Sequence, residues 1–194
     1  MNMNLDDRWL SHKVTGAFLE ERAAWLKEDR KLHSSSLRFF ELAGTLVSFS
    51  RFSYPFASVA FFHGILGLEP ALKLHYHDEK ACLSDLLRRA VVKKLVNDAL
   101  FGLRPPFTKE LSKMVDRLVH RLADQKPRTH SELLPRLIPE LRNEYFNGDY
   151  LLAPDFLHLT FQLREIADAL TTLKSIEDSG KPKEVLRGIS WVKL

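Results

Sequence analysis

Ten consecutive residues concentrate the chemistry of this chain: Leu141-Arg142-Asn143-Glu144-Tyr145-Phe146-Asn147-Gly148-Asp149-Tyr150. Arg142 offers a planar, permanently charged donor fork that suits phosphate. Asn143 and Asn147 donate and accept hydrogen bonds, and neither takes up a proton at neutral pH. Tyr145 comes three residues after Arg142 and so shares its helix face, where it can hydrogen-bond a phosphate or stack on a base; Tyr150 can stack too. The plainer reading is an arginine in a salt bridge near a helix end, beside core tyrosines. His158 stands with Gln162 and Glu165 on a polar stripe, as a solvated histidine or as a base brought to the same site. Arg88, Arg89, Lys93 and Lys94 form a second candidate, either as phosphate contacts or as a solvated helix face. His75-Tyr76-His77-Asp78-Glu79 is the only metal-like cluster, and no third ligand stands nearby at diagnostic spacing. It reads as an exposed polar turn, so no metal and no cofactor are expected.

The elements that position these groups are helices. Asn4 can cap a first helix running to about Lys31, with Trp9, Val14, Phe18 and Trp25 at helical spacing. Ser34, Ser35 and Ser36 offer caps for a second helix, ending near Ser50. Pro55 opens a third, apolar all round from Val59 to Leu66, which Pro70 is expected to kink or end. Within it, His63 reads as a core histidine or part of a site. Ser84 is the expected cap of a fourth helix, with Leu86, Leu87, Ala90, Val91, Leu95 and Ala99 inward. A fifth spans about Thr108 to Ala123. Thr129-His130-Ser131-Glu132 matches a capping box, and Pro135 and Pro139 confine its helix to a short turn before a fresh start carrying Leu141 to Phe146. Gly148 suits the left-handed position that closes a helix. Pro154 opens the last long helix, whose Phe156, Leu159, Leu163, Ile166, Leu170 and Leu173 repeat at intervals of three and four. Leu157 and Phe161 widen that seam. Strand-like alternation of useful length is missing before the C-terminal tail, and the chain has neither a glycine-rich phosphate loop nor a nucleophile elbow. The expected fold is all-α: a single helical bundle of five to seven helices over 1–178 with a tail at 179–194. That tail either stays loose or docks through Trp191.

Bulk properties narrow the classes further. The chain has 194 residues, 45% hydrophobic and 28% charged, as in ordinary globular proteins. One cysteine, Cys82, excludes an internal disulfide, fits a reducing compartment and reads as a small buried residue. The most apolar stretch, Phe56 to Leu68, is too short to span a bilayer, and Asp6, Asp7 and Arg8 interrupt any signal-like run. A cytoplasmic location without membrane association is expected. Residues 86–142 hold 13 Lys and Arg against 6 Asp and Glu, while the rest of the chain holds 16 against 19. A basic middle on a nearly neutral body is either an electrostatic footprint for a polyanion or a set of solvated faces.

The segment Leu141-Arg142-Asn143-x-x-x-Asn147-Gly148, followed by a capped helix, resembles the signature of HEPN (higher eukaryotes and prokaryotes nucleotide-binding) domains. Leu68-Glu69-Pro70-Ala71-Leu72-Lys73 is similar to the family's Leu-Glu-x-x-Leu-Lys on an early helix. Leu86-Leu87-Arg88-Arg89-Ala90 looks like the helix preceding the motif in some members. The likeness covers about 55–174. It implies a helical bundle, frequently a homodimer, of a family in which many members are metal-independent endoribonucleases, with RNA, a nucleotide or a protein partner such as an antitoxin or regulator. Arg142, Asn143 and Gly148 match the motif; Asn147 occupies the histidine position. A positioned general base contributes on the order of 10²- to 10⁴-fold to such a rate. The resemblance therefore implies RNA or nucleotide association with cleavage weakened or lost, His158 being the candidate substitute base. A non-catalytic interaction or dimerisation module is the alternative. A helical transcription regulator is a weaker one, since no helix-turn-helix stands out.

Overall fold

The computed structural model describes residues 5–10, 13–29, 32–93, 95, 135–139 and 155–179. Among them seven helices account for 80% of the residues and no strand occurs, which is the all-α bundle expected. The helices are α1 (Asp7–Leu10), α2 (Gly16–Lys27), α3 (Ser34–Ser50), α4 (Phe56–Tyr76), α5 (Leu83–Val92), α6, of which residues 135–139 are described, and α7 (Asp155–Asp178). The helix expected over Thr108–Ala123, the capping box at Thr129, the segment Leu141 to Tyr150, Lys94 and the tail beyond Ser179 lie outside the described residues. None of the described helices is long and apolar enough to cross a membrane.

The core is a layer of α2, α3, α4 and α7, in which α4 packs most extensively on α3 and α7, and α3 on α2. The seam of α7 is buried as its spacing requires: Phe156, Leu159, Leu163, Ile166, Leu170 and Leu173 are each at most 8% exposed. Leu157 and Phe161 are buried beside them. Two glycines permit the close crossings. A Cβ on Gly44 would stand 2.7 Å from the carbonyl oxygen of Ala23, and one on Gly67 would stand 2.8 Å from the Phe40 ring. Without these side chains α2, α3 and α4 approach at backbone range.

Several expectations change. The long first helix is two helices, α1 and α2, with Lys13 between them at φ 57°. Thr15 starts α2 by accepting the Phe18 N–H at 3.1 Å. Fully buried Trp9 pins α1 to the end of α3 by donating to the Ser50 carbonyl at 2.6 Å. Pro70 does not end α4, which continues to Tyr76. Its missing N–H deprives one carbonyl, that of Leu66, while Leu68, Ala71 and Leu72 on either side are buried and hold both halves of the helix in the core. The cap of α5 is Cys82, which is exposed rather than buried, with its Sγ 3.2 Å from the Asp85 carboxylate. Ser84 instead donates to the Pro135 carbonyl at 2.7 Å and ties α5 to α6. The cap of α3 is His33, ahead of the three serines.

Candidate functional site

The amphipathic pattern of α5 buries Leu83, Leu86, Leu87 and Ala90 and so turns Arg88 and Arg89 outward. Helix α4 ends alongside them. His77 closes it in the left-handed region at φ 51°, with its N–H donating to the Leu74 carbonyl. Around this 76–78 turn the fold gathers cations from two helices. Arg89 of α5 donates to the Asp78 carboxylate at 2.8 Å, and the Lys93 ammonium lies 5.1 Å from the centroid of the Tyr76 ring. Lys174 of α7 contacts His77 Nε2 and pairs with Asp178 at 3.1 Å. Arg88, one position along, pairs with Asp85 at 3.1 Å.

This end of the bundle is therefore a set of ion pairs rather than a bare positive surface. The side chains of Arg88 and Arg89 are 62% and 47% exposed, and pairs of that kind contribute roughly 0–1 kcal/mol each. A phosphate can displace such a carboxylate at little cost. The carbonyl ends of α4 and α5 also favour cations here, so part of the clustering is accounted for by the helices themselves.

Beneath the cations, His75 and Tyr76 are half-buried rather than an exposed turn, with ring centroids 4.8 Å apart in an edge-to-face arrangement. Burial pushes the His75 imidazole down, with the charges of Lys93 and Lys174 adding to it and Glu177 and the backbone at Leu170 opposing. Burial likewise pushes the Tyr76 hydroxyl up to about 12, against the opposing charge of Arg89. Among the described residues, the Tyr76 hydroxyl and His75 Nδ1 have no hydrogen-bond partner. Because α4 stays helical through Tyr76, the two histidines do not point the same way as they would in an extended segment. Among the described residues, no group of three or more His, Cys, Asp or Glu side chains is arranged to hold a metal.

His158 is exposed on α7, about 16 residues before Lys174 on the same helix and away from the 76–78 turn. Its Nε2 lies 3.0 Å from the Nε2 of Gln162, so the amide donates and the imidazole accepts there. That arrangement commits one ring lone pair to Gln162. The stripe is not uniformly solvated, because Gln162 is only 4% exposed. Burial pushes the Glu165 carboxyl up, opposed by the nearby charges of His158 and Arg22. His63 is half-buried and stacks on Phe39 at 6.4 Å, and burial lowers its pKa. Arg142, Asn143, Tyr145, Asn147 and Tyr150 lie outside the described residues, as does Lys94. Of the sequence candidates, the structure thus brings together Arg88, Arg89 and Lys93, and sets His158 apart from them.

Two features escaped sequence reasoning. Arg164 is fully buried; it donates to the carbonyls of Leu26 and Glu28 at 2.6 Å and to the Asp168 carboxylate at 3.1 Å. Its guanidinium also lies 5.3 Å from the Phe40 ring centroid. The spacing of Arg164 and Asp168 by four residues was the available signal. The second feature is a cleft of about 460 Å³ between α3 and the later half of α4, into which Phe39, Leu66, Glu69, Lys73 and Glu79 project. What the fold and these sites define is a helical-bundle protein with a charged end formed by α4, α5 and α7. Comparison with known proteins goes no further: no family model fits the chain, and no curated protein or solved structure matches it.

Proposed function

We propose that this protein is a HEPN-like helical protein that associates with RNA or a nucleotide, and that Asn147 in place of histidine leaves endoribonuclease activity weakened or lost. The observation that carries the reading is the gathering of Arg88, Arg89 and Lys93 with Lys174 and His77 at one exposed end of an all-α bundle. It is joined by the Arg142-Asn143-x-x-x-Asn147-Gly148 motif, which the chain places shortly before α7. Arg142 would hold the charge that develops on phosphate, and the α5 face would steer and hold the strand. The missing proton acceptor is the weak link. His158 has its Nε2 engaged by Gln162, so it serves as a base only after that hydrogen bond opens.

Incubation with total RNA in the absence of metal tests the catalytic part. Asn147→His is expected to restore or raise cleavage, and Arg142→Ala to abolish it. Equal activity in both variants and the parent sinks the nuclease reading. A gel shift at low salt tests binding: charge reversal at Arg88, Arg89 and Lys93 is expected to weaken it and flatten its salt dependence.

A second reading, a non-catalytic interaction or homodimerisation module, is favoured by the apolar outer face of α3 and α4. Leu42, Phe49 and Phe56 are 43%, 52% and 38% exposed, and the Phe49 and Phe56 rings lie 6.1 Å apart. Exposed large apolar groups so grouped mark interaction surfaces. Light scattering on Phe49→Glu/Phe56→Glu against the parent distinguishes this reading. A parent dimer that dissociates in the variant supports it, and a monomeric parent removes the homodimer.

A further inference from the structure

We propose that the cleft between α3 and the later half of α4 binds a small amphipathic amine, its apolar body against Phe39 and Leu66 and its ammonium at Glu79. The proposal is independent of the RNA reading, which concerns the cations that α5 and α7 bring to the end of α4. The cleft measures about 460 Å³, within the range of roughly 300–1,000 Å³ typical of small-molecule sites. Its position has a local cause in the sequence. Gly67 lets the Phe40 ring sit against the α4 backbone, and Pro70 lines the cleft as a ring with no donor of its own.

One side of the cleft is apolar, formed by Phe39, Leu66, Pro70 and Leu74. Phe39 is backed by the His63 ring, stacked on it at 6.4 Å and an interplanar angle of 25°, which fixes an aromatic face at the wall. The other side carries charge. Lys73 is already engaged by Glu69 at 2.9 Å, and the charge of Glu79 acts on it as well. Two carboxylates against one engaged ammonium leave the lining with one negative charge in excess. On the remaining polar rim His33 Nδ1 and Ser35 Oγ lie 2.7 Å apart, which engages that face of the imidazole. An incoming anion would face Glu69 and Glu79 with Lys73 occupied. A neutral alcohol could donate its hydroxyl to Glu79 but would leave the excess negative charge unneutralised. An ammonium on an aryl or alkyl body gains a charge-assisted hydrogen bond to Glu79 and covers the apolar wall, with an aromatic face within reach.

Titration of the full chain with phenethylamine, 3-phenylpropionate and 2-phenylethanol, monitored by calorimetry and by ligand-detected NMR, tests this. Saturable binding of phenethylamine is expected, with the acid, which meets the carboxylates as a like charge, at least about tenfold weaker, and the alcohol, which keeps a hydrogen bond but loses the ion pair, several-fold weaker. Glu79→Gln, at an exposed position, is expected to weaken the amine to the level of the alcohol. Glu41→Gln, which removes an exposed carboxylate of α3 outside the lining, is expected to leave it unchanged. Leu66→Trp narrows the cleft without altering charge and is expected to reduce binding of the amine. Three results each overturn the proposal: no saturable amine binding at millimolar concentration, equal binding of 3-phenylpropionate, or an affinity indifferent to Glu79→Gln.

Discussion

Arg164 and the arginine pair of α5 show the same side chain in two different situations. Arg164 is fully buried, and its donors meet oxygens on three groups: two carbonyls at the end of α2 and the Asp168 carboxylate. Arg88 and Arg89 are about half exposed, and among the described residues each meets one carboxylate. A buried guanidinium is retained only where its donors are satisfied, so Arg164 is committed to joining α2 to α7. An exposed pair exchanges partners almost freely, so Arg88 and Arg89 remain available to a phosphate. The core arginine locks the bundle, whereas the α5 arginines are interchangeable contacts.

Breaking this contrast at its strong side should give the largest effect. Arg164→Ala takes the buried donor away from the carbonyls of Leu26 and Glu28 and from the Asp168 carboxylate, and is expected to lose about 3–5 kcal/mol in urea unfolding. Arg164→Lys should recover little, since one ammonium cannot reproduce the fork. Next in size is Gly44→Ala. Its Cβ would press on the Ala23 carbonyl at 2.7 Å, and overpacking of that kind costs about 1–3 kcal/mol by the same measurement.

The exposed side should respond in function and hardly in stability. Arg88→Glu/Arg89→Glu is expected to stay within about 1 kcal/mol of the parent in unfolding while weakening RNA binding at low salt. Equal RNA affinity would make the α5 arginines a solvated face and nothing more. The smallest effect belongs to the half-buried Tyr76 ring beneath the α5 cations. The Tyr76 hydroxyl is held up at about 12 by burial, above its unfolded value of about 10. Its protonated form is thus favoured by the fold. That contribution is fully present below pH ~10 and is lost as pH rises toward about 12. Tyr76→Phe should flatten this alkaline limb, and because the hydroxyl has no partner among the described residues, it should be neutral or mildly stabilising at pH 7. Ultraviolet titration of the tyrosinates and unfolding between about pH 9 and pH 12 read both effects.

Legibility in the sequence differed by kind of signal. The α7 seam and the inward face of α5 at Leu86, Leu87 and Ala90 were both readable. Each is a local periodicity. What was not readable depended on neighbours distant in the chain. Gln162 reads as solvated from α7 alone, yet it is buried; Cys82 reads as buried, yet it is an exposed helix cap. The candidate site divided in the same way. That Arg88 and Arg89 face outward is set by the pattern of α5, whereas their meeting with His77 and Lys174 is not, because nothing in α5 specifies where α4 and α7 end.

By itself, then, the sequence determined an all-helical chain with a long apolar seam in its last helix, since burial of a 3.6-residue stripe is a property of one helix and its period. Only the tertiary structure decided that α4 runs through Pro70, that Arg164 belongs in the core and that the cations of α5 and α7 share one end. In each case the outcome rests on what lies across the interface. The buried residues around Pro70 outweigh one lost hydrogen bond, the carbonyls ending α2 satisfy a charge that α7 alone could not bury, and the length of α4 brings His77 to Lys174.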